Sequence, residues 1–190
     1  MSMLNQFFDY KPEVLALDEK ALALCQPYFK QMEDIRDYNQ LKMLKAFADT
    51  QMSSTDMLGT TGYGLWDSGR AKLEQIFAEV MGAEDALVRS QFQSGTHTLA
   101  VALFGLLRAG DTLLAATGRP YDTLEGVIGL DGKGKGTGTL MDYGIRYDEA
   151  PLKDDFTPDY ELIAQKAPGA KVCHIQRSRG YLQRNAFDLD

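Results

Sequence analysis

The sequence predicts an α/β protein in which helices flank a mostly parallel β-sheet. Short apolar runs at 86–90, 111–116 and 171–176 have the length of buried strands. The segments between them carry apolar residues at every third or fourth position, which is helical spacing. Alternation of strands and helices is typical of right-handed βαβ units. The 190 residues are enough for one such domain with a helical extension.

We assign residues 1–56 to a helical amino-terminal segment. Apolar side chains between positions 12 and 51 recur every three or four residues, as a helix that packs on one face requires. Pro27 lies inside this stretch, and a proline lacks the N–H group that a helix interior needs. We therefore expect Pro27 to separate two helices.

We assign residues 57–190 to the α/β part of the chain. The predicted elements are helix 69–82, strand 86–90, helix 95–108, strand 111–116, helix 121–129, strand 145–147, helix 159–166 and strand 171–176. Asp67 or Ser68 is expected to cap the first of these helices, and Gly82 to end it.

Composition and charge exclude several classes of function. The net charge of −7 argues against nucleic-acid binding, because phosphate contacts need clustered Lys and Arg residues. No apolar run approaches the roughly 20 residues that span a bilayer. The first residues show no secretory signal, and Cys25 and Cys173 lie far apart. These features predict a cytoplasmic protein with reduced thiols, no membrane contact and no nucleic-acid partner.

The residues Ser94-Gly95-Thr96 predict an anion-binding turn at the start of helix 95–108. Small residues between a strand and a helix leave backbone N–H groups unpaired, and the helix dipole favours negative charge there. The alternative is a helix cap with no ligand. Tyr121 follows the next predicted strand, at the sheet edge where open α/β sheets bind ligands. The two features together indicate a flat, phosphorylated cofactor.

Other patterns carry weaker signals. The run from Gly129 to Lys135 resembles a phosphate loop, but Gly136 replaces the Ser or Thr that would hold magnesium, so a flexible loop is the favoured interpretation. His97 and His174 have no Cys or acidic residue at ligand spacing, and we expect no metal site.

Arg177 and Arg179 follow the last predicted strand and have two interpretations. A basic pair in such a position is often a solvated turn. Arginines at the carboxyl end of a strand can also bind a substrate carboxylate. Both interpretations remain open at the level of the sequence.

Several short motifs occur in the order and at the spacing of a known enzyme family. They are Gly62-Tyr63-Gly64, Asp67-Ser68-Gly69-Arg70, Ser94-Gly95-Thr96-His97, Pro120-Tyr121-Asp122-Thr123 and Gln176-Arg177-Ser178-Arg179-Gly180-Tyr181. From about residue 57 onward the chain resembles the fold type I pyridoxal-phosphate enzymes of the cystathionine and methionine gamma-lyase kind. It is most similar to the methionine gamma-lyase-like, or aluminium-resistance, branch.

The resemblance implies roles for individual residues. Ser94, Gly95 and Thr96 would hold the phosphate of pyridoxal 5'-phosphate, and Tyr121 would stack on its ring and act in catalysis. The loop of Tyr63 resembles one that reaches into the cofactor site of a neighbouring subunit. The resemblance therefore also implies a homodimer or homotetramer.

The resemblance implies a carbon–sulfur lyase of amino-acid metabolism that acts on a sulfur amino acid. The Schiff-base lysine of the family corresponds to a position beyond residue 190. We therefore expect a truncated form, in which the large domain is incomplete at its carboxyl end and which alone has no lyase activity. The alternative is a non-catalytic α/β fragment, or an interaction module completed by another chain. A nucleotide-binding α/β domain is a third, weaker possibility.

Overall fold

A computed structural model describes residues 6–63, 67–132 and 136–188. The chain divides into two compact units, Met1–Arg89 and Ser90–Asp190. The first unit contains helices α1 and α2, and the second contains a β-sheet with helices α3 to α5.

Helix α1 spans Pro12–Asp49 without interruption, so the prediction that Pro27 separates two helices is wrong. A proline inside a helix removes one backbone hydrogen bond and kinks the helix more often than it ends it. Ala23 and Leu24, in the turn before Pro27, are strong helix formers and favour the helical conformation there. None of the described helices, α1 included, combines the length and apolar character needed to cross a membrane.

Helix α2 spans Ser68–Met81 and packs against the carboxyl-terminal part of α1. A short 3-10 helix, Ser54–Met57, joins them and carries Asp56. The Asp56 carboxylate accepts hydrogen bonds from Lys72 Nζ at 2.8 Å and from Ser68 Oγ at 2.7 Å. The Lys72 ammonium, followed by the Ser68 hydroxyl, holds the pKa of Asp56 well below its usual range.

The start of α2 differs in one detail from the prediction of a side-chain cap. Asp67 occupies the N-cap position, but its side chain makes no capping hydrogen bond. It forms an ion pair with Arg70 at 2.9 Å instead.

The second unit contains a three-stranded parallel sheet. Its elements are α3 (Gly95–Leu106), β1 (Thr112–Ala115), α4 (Asp122–Ile128), β2 (Arg146–Glu149), α5 (Tyr160–Lys166) and β3 (Val172–His174). Strand β1 lies in the centre and pairs in parallel with β2 on one side and with β3 on the other. The prediction of an α/β protein with a parallel sheet and flanking helices is confirmed.

A compact apolar core holds α3 and α4 against the sheet. Leu103 of α3, Leu124 and Ile128 of α4 and Leu113 of β1 belong to one buried cluster. Both helices therefore cover the face of the sheet to which Leu113 points. The next residue, Leu114, is fully buried as well, so the central strand is shielded on both faces.

The strand predicted at 86–90 is absent, which corrects the sequence analysis. The Val88 N–H donates to the Glu74 carboxylate at 3.0 Å, and Arg89 forms an ion pair with the same carboxylate. This segment pairs with no strand in the described part of the chain. Its apolar residues predicted a strand, but a strand also needs a neighbour for its backbone hydrogen bonds.

Gly69 in α2 is expected to tolerate no side chain. A Cβ atom added there would lie 1.9 Å from the backbone oxygen of Asp56. Alanine favours a helix over glycine by about 1 kcal/mol, but overpacking at such a contact costs about 1–3 kcal/mol. We predict that Gly69→Ala lowers the midpoint of thermal unfolding.

Gly105→Ala in α3 is the matched control, because an added Cβ at that position meets nothing within 4 Å. This variant should unfold at the same temperature as the parent or higher. A rise in the midpoint for Gly69→Ala, measured by circular dichroism, would contradict the packing of α2 against Asp56.

Candidate functional site

A cleft opens at the carboxyl edge of the sheet. All three strands are parallel, so the loops that follow them meet at this edge. The cleft has a volume of about 640 Å³ and is lined by residues of 117–122, 149–154 and 176–182, which follow β1, β2 and β3. This volume is typical of small-molecule sites, which measure about 300–1,000 Å³.

Tyr121 lines this cleft at the start of α4, with 39% of its surface exposed. Its N–H donates to Gln176 Oε1 at 2.8 Å, which ties it to the loop after β3. Its ring stacks on Tyr181 with centroids 5.3 Å apart, and the two hydroxyls lie 2.9 Å apart. The Tyr181 hydroxyl holds the pKa of Tyr121 above its usual value.

The start of α3 presents free hydrogen-bond donors. Ser94 is the N-cap, and its Oγ accepts from the His97 N–H at 3.1 Å. The N–H groups of Gly95 and Thr96 donate to no acceptor within the described ranges. A Cβ atom added to Gly95 would meet nothing within 4 Å, so the space beside it is open.

A hydrogen bond brings the two predicted groups of residues together. Thr96 Oγ1 lies 2.8 Å from Thr123 Oγ1, two residues after Tyr121. The first turns of α3 and α4 are therefore neighbours. The structure places Ser94, Gly95 and Thr96 next to the segment that carries Tyr121, although their roles remain predictions.

The two arginines after β3 have different environments. Arg177 Nε donates to the Phe187 carbonyl at 2.9 Å, and the Phe187 N–H donates back to the Arg177 carbonyl at 3.0 Å. Arg177 thus holds its own loop together. Arg179 lines the cleft and forms no ion pair with any described carboxylate. Of the two, Arg179 is the better placed to meet a substrate carboxylate.

Tyr63 belongs to the first unit and is highly exposed, at 87%. Gly64, the last residue of its motif, lies outside the described residues, and so does the Lys133–Lys135 part of the phosphate-loop resemblance. A contact of Tyr63 with a neighbouring subunit remains a prediction.

Two polar pairs near the cleft were not found from the sequence. Arg119 binds the Glu125 carboxylate with both Nε and Nη2, at 2.7 and 3.1 Å. Tyr147 donates its hydroxyl to Glu149 Oε2 at 2.6 Å, and burial, followed by this hydrogen bond, raises the pKa of Tyr147. Six residues separate Arg119 from Glu125, and no helical or strand spacing indicates that pair in the sequence.

Arg184 is a further residue whose role the sequence did not indicate. Only 7% of it is exposed, and its guanidinium lies 3.8 Å from the centroid of the Phe187 ring. Its Nη1 and Nη2 atoms donate to four carbonyl oxygens of the loop after β3, those of Gln176, Arg177, Ser178 and Asn185. Burial lowers the pKa of Arg184. This side chain fixes the loop that contributes Arg179 and Tyr181 to the cleft.

These features define an α/β protein with a ligand-sized cleft at the carboxyl edge of a parallel sheet and free donors at a neighbouring helix start. The family model for methionine gamma-lyase matches residues 14–190. The chain belongs to this methionine gamma-lyase family.

Related proteins share both sequence and fold with this chain. The protein YnbB of Bacillus subtilis is 45% identical over 159 residues, which is 83% of this chain and 38% of YnbB. A Clostridium novyi structure, described as a carbon-sulfur lyase involved in aluminum resistance, is 42% identical with a TM-score of 0.81 and covers 88% of this chain and 41% of its own.

A Clostridium acetobutylicum structure, described provisionally as a cystathionine beta-lyase involved in aluminum resistance, is 39% identical with a TM-score of 0.86. The match covers 97% of this chain and 44% of the Clostridium chain. The chain therefore spans less than half the length of the relatives that it matches.

Arg184 is predicted to be the main support of the loop after β3. Arg184→Met removes the donors to four carbonyl groups in part-buried hydrogen bonds, and each hydrogen bond lost costs about 0.5–1.5 kcal/mol. Hydrogen exchange of residues 176–187, followed by mass spectrometry, should accelerate at least tenfold.

The control variant is Arg36→Met, because Arg36 is exposed on α1 and forms its ion pair with the adjacent Asp37. This control should leave exchange of the loop unchanged. Equal exchange in Arg184→Met and the parent chain would show that other contacts hold the loop.

Proposed function

We propose that this chain is part of a fold type I pyridoxal-phosphate enzyme that acts as a carbon–sulfur lyase on a sulfur amino acid. The observation that carries the proposal is the pair of free N–H groups at Gly95 and Thr96 beside the half-exposed Tyr121. Membership of the methionine gamma-lyase family and the lyase descriptions of related structures support it.

The residues at the site fit pyridoxal 5'-phosphate. A phosphate needs several donors and little steric hindrance, and the start of α3 offers both at Gly95. A planar ring needs an aromatic surface, and Tyr121 presents one at the neighbouring helix start. The cleft volume of about 640 Å³ lies in the range of small-molecule sites, and Tyr121 lines the cleft, whereas Ser94, Gly95 and Thr96 lie outside its lining.

Each residue has a separate task in the proposed mechanism. The N–H groups of Gly95 and Thr96 hold the phosphate, and the dipole of α3 favours its negative charge. The Tyr121 ring fixes the plane of the cofactor, and the Tyr121 hydroxyl is positioned to exchange a proton with the substrate. Arg179 binds the substrate carboxylate, which orients the sulfur-bearing side chain.

Pyridoxal phosphate, when bound, supplies an electron sink for negative charge at the α-carbon of the substrate. The overall reaction breaks a carbon–sulfur bond, consumes one water molecule and yields a thiol, a keto acid and ammonia. The Tyr121 phenol keeps its proton at neutral pH, since the Tyr181 hydroxyl holds its pKa above the usual value for tyrosine. It can therefore supply a proton to a departing thiolate, although the raised pKa makes the transfer less favourable than from an ordinary phenol.

We further propose that the protein is cytoplasmic and forms a homodimer or homotetramer. The high exposure of Tyr63 supports this proposal, because an exposed aromatic in a loop is suited to contact a second subunit. In such an assembly Tyr63 would contribute to the cofactor site of its neighbour.

Gly95→Val is predicted to weaken binding of pyridoxal phosphate. The added side chain fills the open space in front of the N–H donors, which contribute about 0.3–1 kcal/mol each and up to ~2 kcal/mol when partly buried. The dissociation constant measured by equilibrium dialysis should rise about fivefold or more.

Gly105→Val is the control for this experiment. It makes the same change in the same helix, and an added Cβ at that position also meets nothing within 4 Å. Affinity for pyridoxal phosphate should stay unchanged in this variant. Equal affinity in both variants would rule out the start of α3 as the phosphate site.

Tyr121→Ala is predicted to reduce the affinity for pyridoxal phosphate, whereas Tyr121→Phe should retain most of it. The ring contributes about 0.5–1.5 kcal/mol beyond simple burial, and phenylalanine keeps that ring. Dialysis with pyridoxal phosphate tests both variants. A loss of affinity in Tyr121→Phe as large as in Tyr121→Ala would assign binding to the hydroxyl and not to the ring.

A further inference from the structure

Tyr181 is in direct contact with the aromatic residue of the proposed cofactor site. Its ring is tilted by only 26° from the Tyr121 ring, with the centroids 5.3 Å apart. A near-parallel arrangement at this distance covers one face of the Tyr121 ring. The exposed 39% of Tyr121 shows that part of it remains accessible to a ligand.

The backbone beside Tyr181 supports the same contact. A Cβ atom added to Gly180 would lie 3.5 Å from Tyr121 Cδ2, so the backbone of the loop packs against the ring. The Gln176 side chain, at the start of the loop, accepts from the Tyr121 N–H at 2.8 Å. The loop thus holds Tyr121 at its backbone, at its ring and, through Tyr181, at its hydroxyl.

Burial of Tyr181 does not explain this arrangement, since 77% of Tyr181 is exposed. Among the described residues, the Tyr181 hydroxyl contacts the Tyr121 hydroxyl at 2.9 Å, and the Tyr181 ring stacks on the Tyr121 ring. Contact with Tyr181 restricts the Tyr121 side chain before a ligand binds. The entropic cost of ordering this side chain is then not subtracted from the binding free energy.

We propose that Tyr181 is a positioning residue for Tyr121: its ring covers one face of the Tyr121 ring and directs a planar ligand to the other, and its hydroxyl fixes the Tyr121 hydroxyl. The proposal rests on the proposed function, in which Tyr121 stacks on the cofactor. A hydrogen bond donated by the Tyr121 hydroxyl to Tyr181 is expected to raise the pKa of Tyr121, and the pKa is shifted in this direction.

The test compares Tyr181→Leu and Tyr181→Phe with the parent chain. The first removes both the ring and the hydroxyl, and the second removes only the hydroxyl. Tyr160→Leu is the control, because Tyr160 is similarly exposed, at 72%, and begins helix α5 in the same unit. Each protein is labelled with carbon-13 in its tyrosine rings, and the Tyr121 signal is assigned with Tyr121→Phe.

The first readout is the Tyr121 resonance and its titration with pH, without cofactor. Tyr181→Phe should lower the pKa of Tyr121 with little change in its ring signals at neutral pH. Tyr181→Leu should shift the ring signals themselves, and Tyr160→Leu should change neither. An unaltered Tyr121 signal and titration in Tyr181→Leu would overturn the proposal.

The second readout is affinity for pyridoxal phosphate, measured by equilibrium dialysis. Tyr181→Leu should weaken binding about two- to tenfold, while Tyr181→Phe should stay within about twofold of the parent. Equal or tighter binding in Tyr181→Leu would overturn the positioning role. Absence of binding in every protein, together with an altered Tyr121 resonance in Tyr181→Leu, would overturn the proposed function and support the pairing of the two tyrosines.

Discussion

The parallel pairing of β1 with strands on both sides is the constraint on which the second unit depends. Parallel strands end at the same edge, so the loops after β1, β2 and β3 must meet there. The buried Leu113 and Leu114 hold β1 in place from both faces. A shift of β1 by one residue would reverse these faces and remove Leu113 from the cluster that binds α3 and α4. The cleft and the helix starts beside it would then lose their common support.

The sequence predicts well those features that depend on neighbouring residues in the chain. The run Ser94-Gly95-Thr96 before an apolar helix gives both the start of α3 and its free donors, and the position of Tyr121 follows from the strand that precedes it. Helical and strand spacing likewise predicts α3, β1 and α4 to within two residues at each end. The resemblance to the lyase family adds the roles, which spacing alone does not provide.

Features that depend on distant partners are less accessible from the sequence. The segment 86–90 has the composition of a strand, but the Glu74 carboxylate of α2 accepts a hydrogen bond from the Val88 N–H and forms an ion pair with Arg89. Arg184 lies in a polar stretch with no sequence pattern that indicates burial, yet it is buried and donates to carbonyl groups of the loop after β3. The stacking of Tyr181 on Tyr121 joins residues 60 positions apart. In each case the position of the side chain depends on a hydrogen-bonding or stacking partner that the local sequence pattern does not indicate.

Strands β2 and β3 form the two outer positions of the sheet, and each has only one hydrogen-bonded neighbour among the described strands. The outward N–H and C=O groups of such a strand are a template on which another extended segment can pair, whether from the same protein or from a second molecule. A further strand can therefore widen the sheet at either of these edges. Unpaired strand edges of this kind are also the sites at which copies of a chain pair with one another when no other strand covers them.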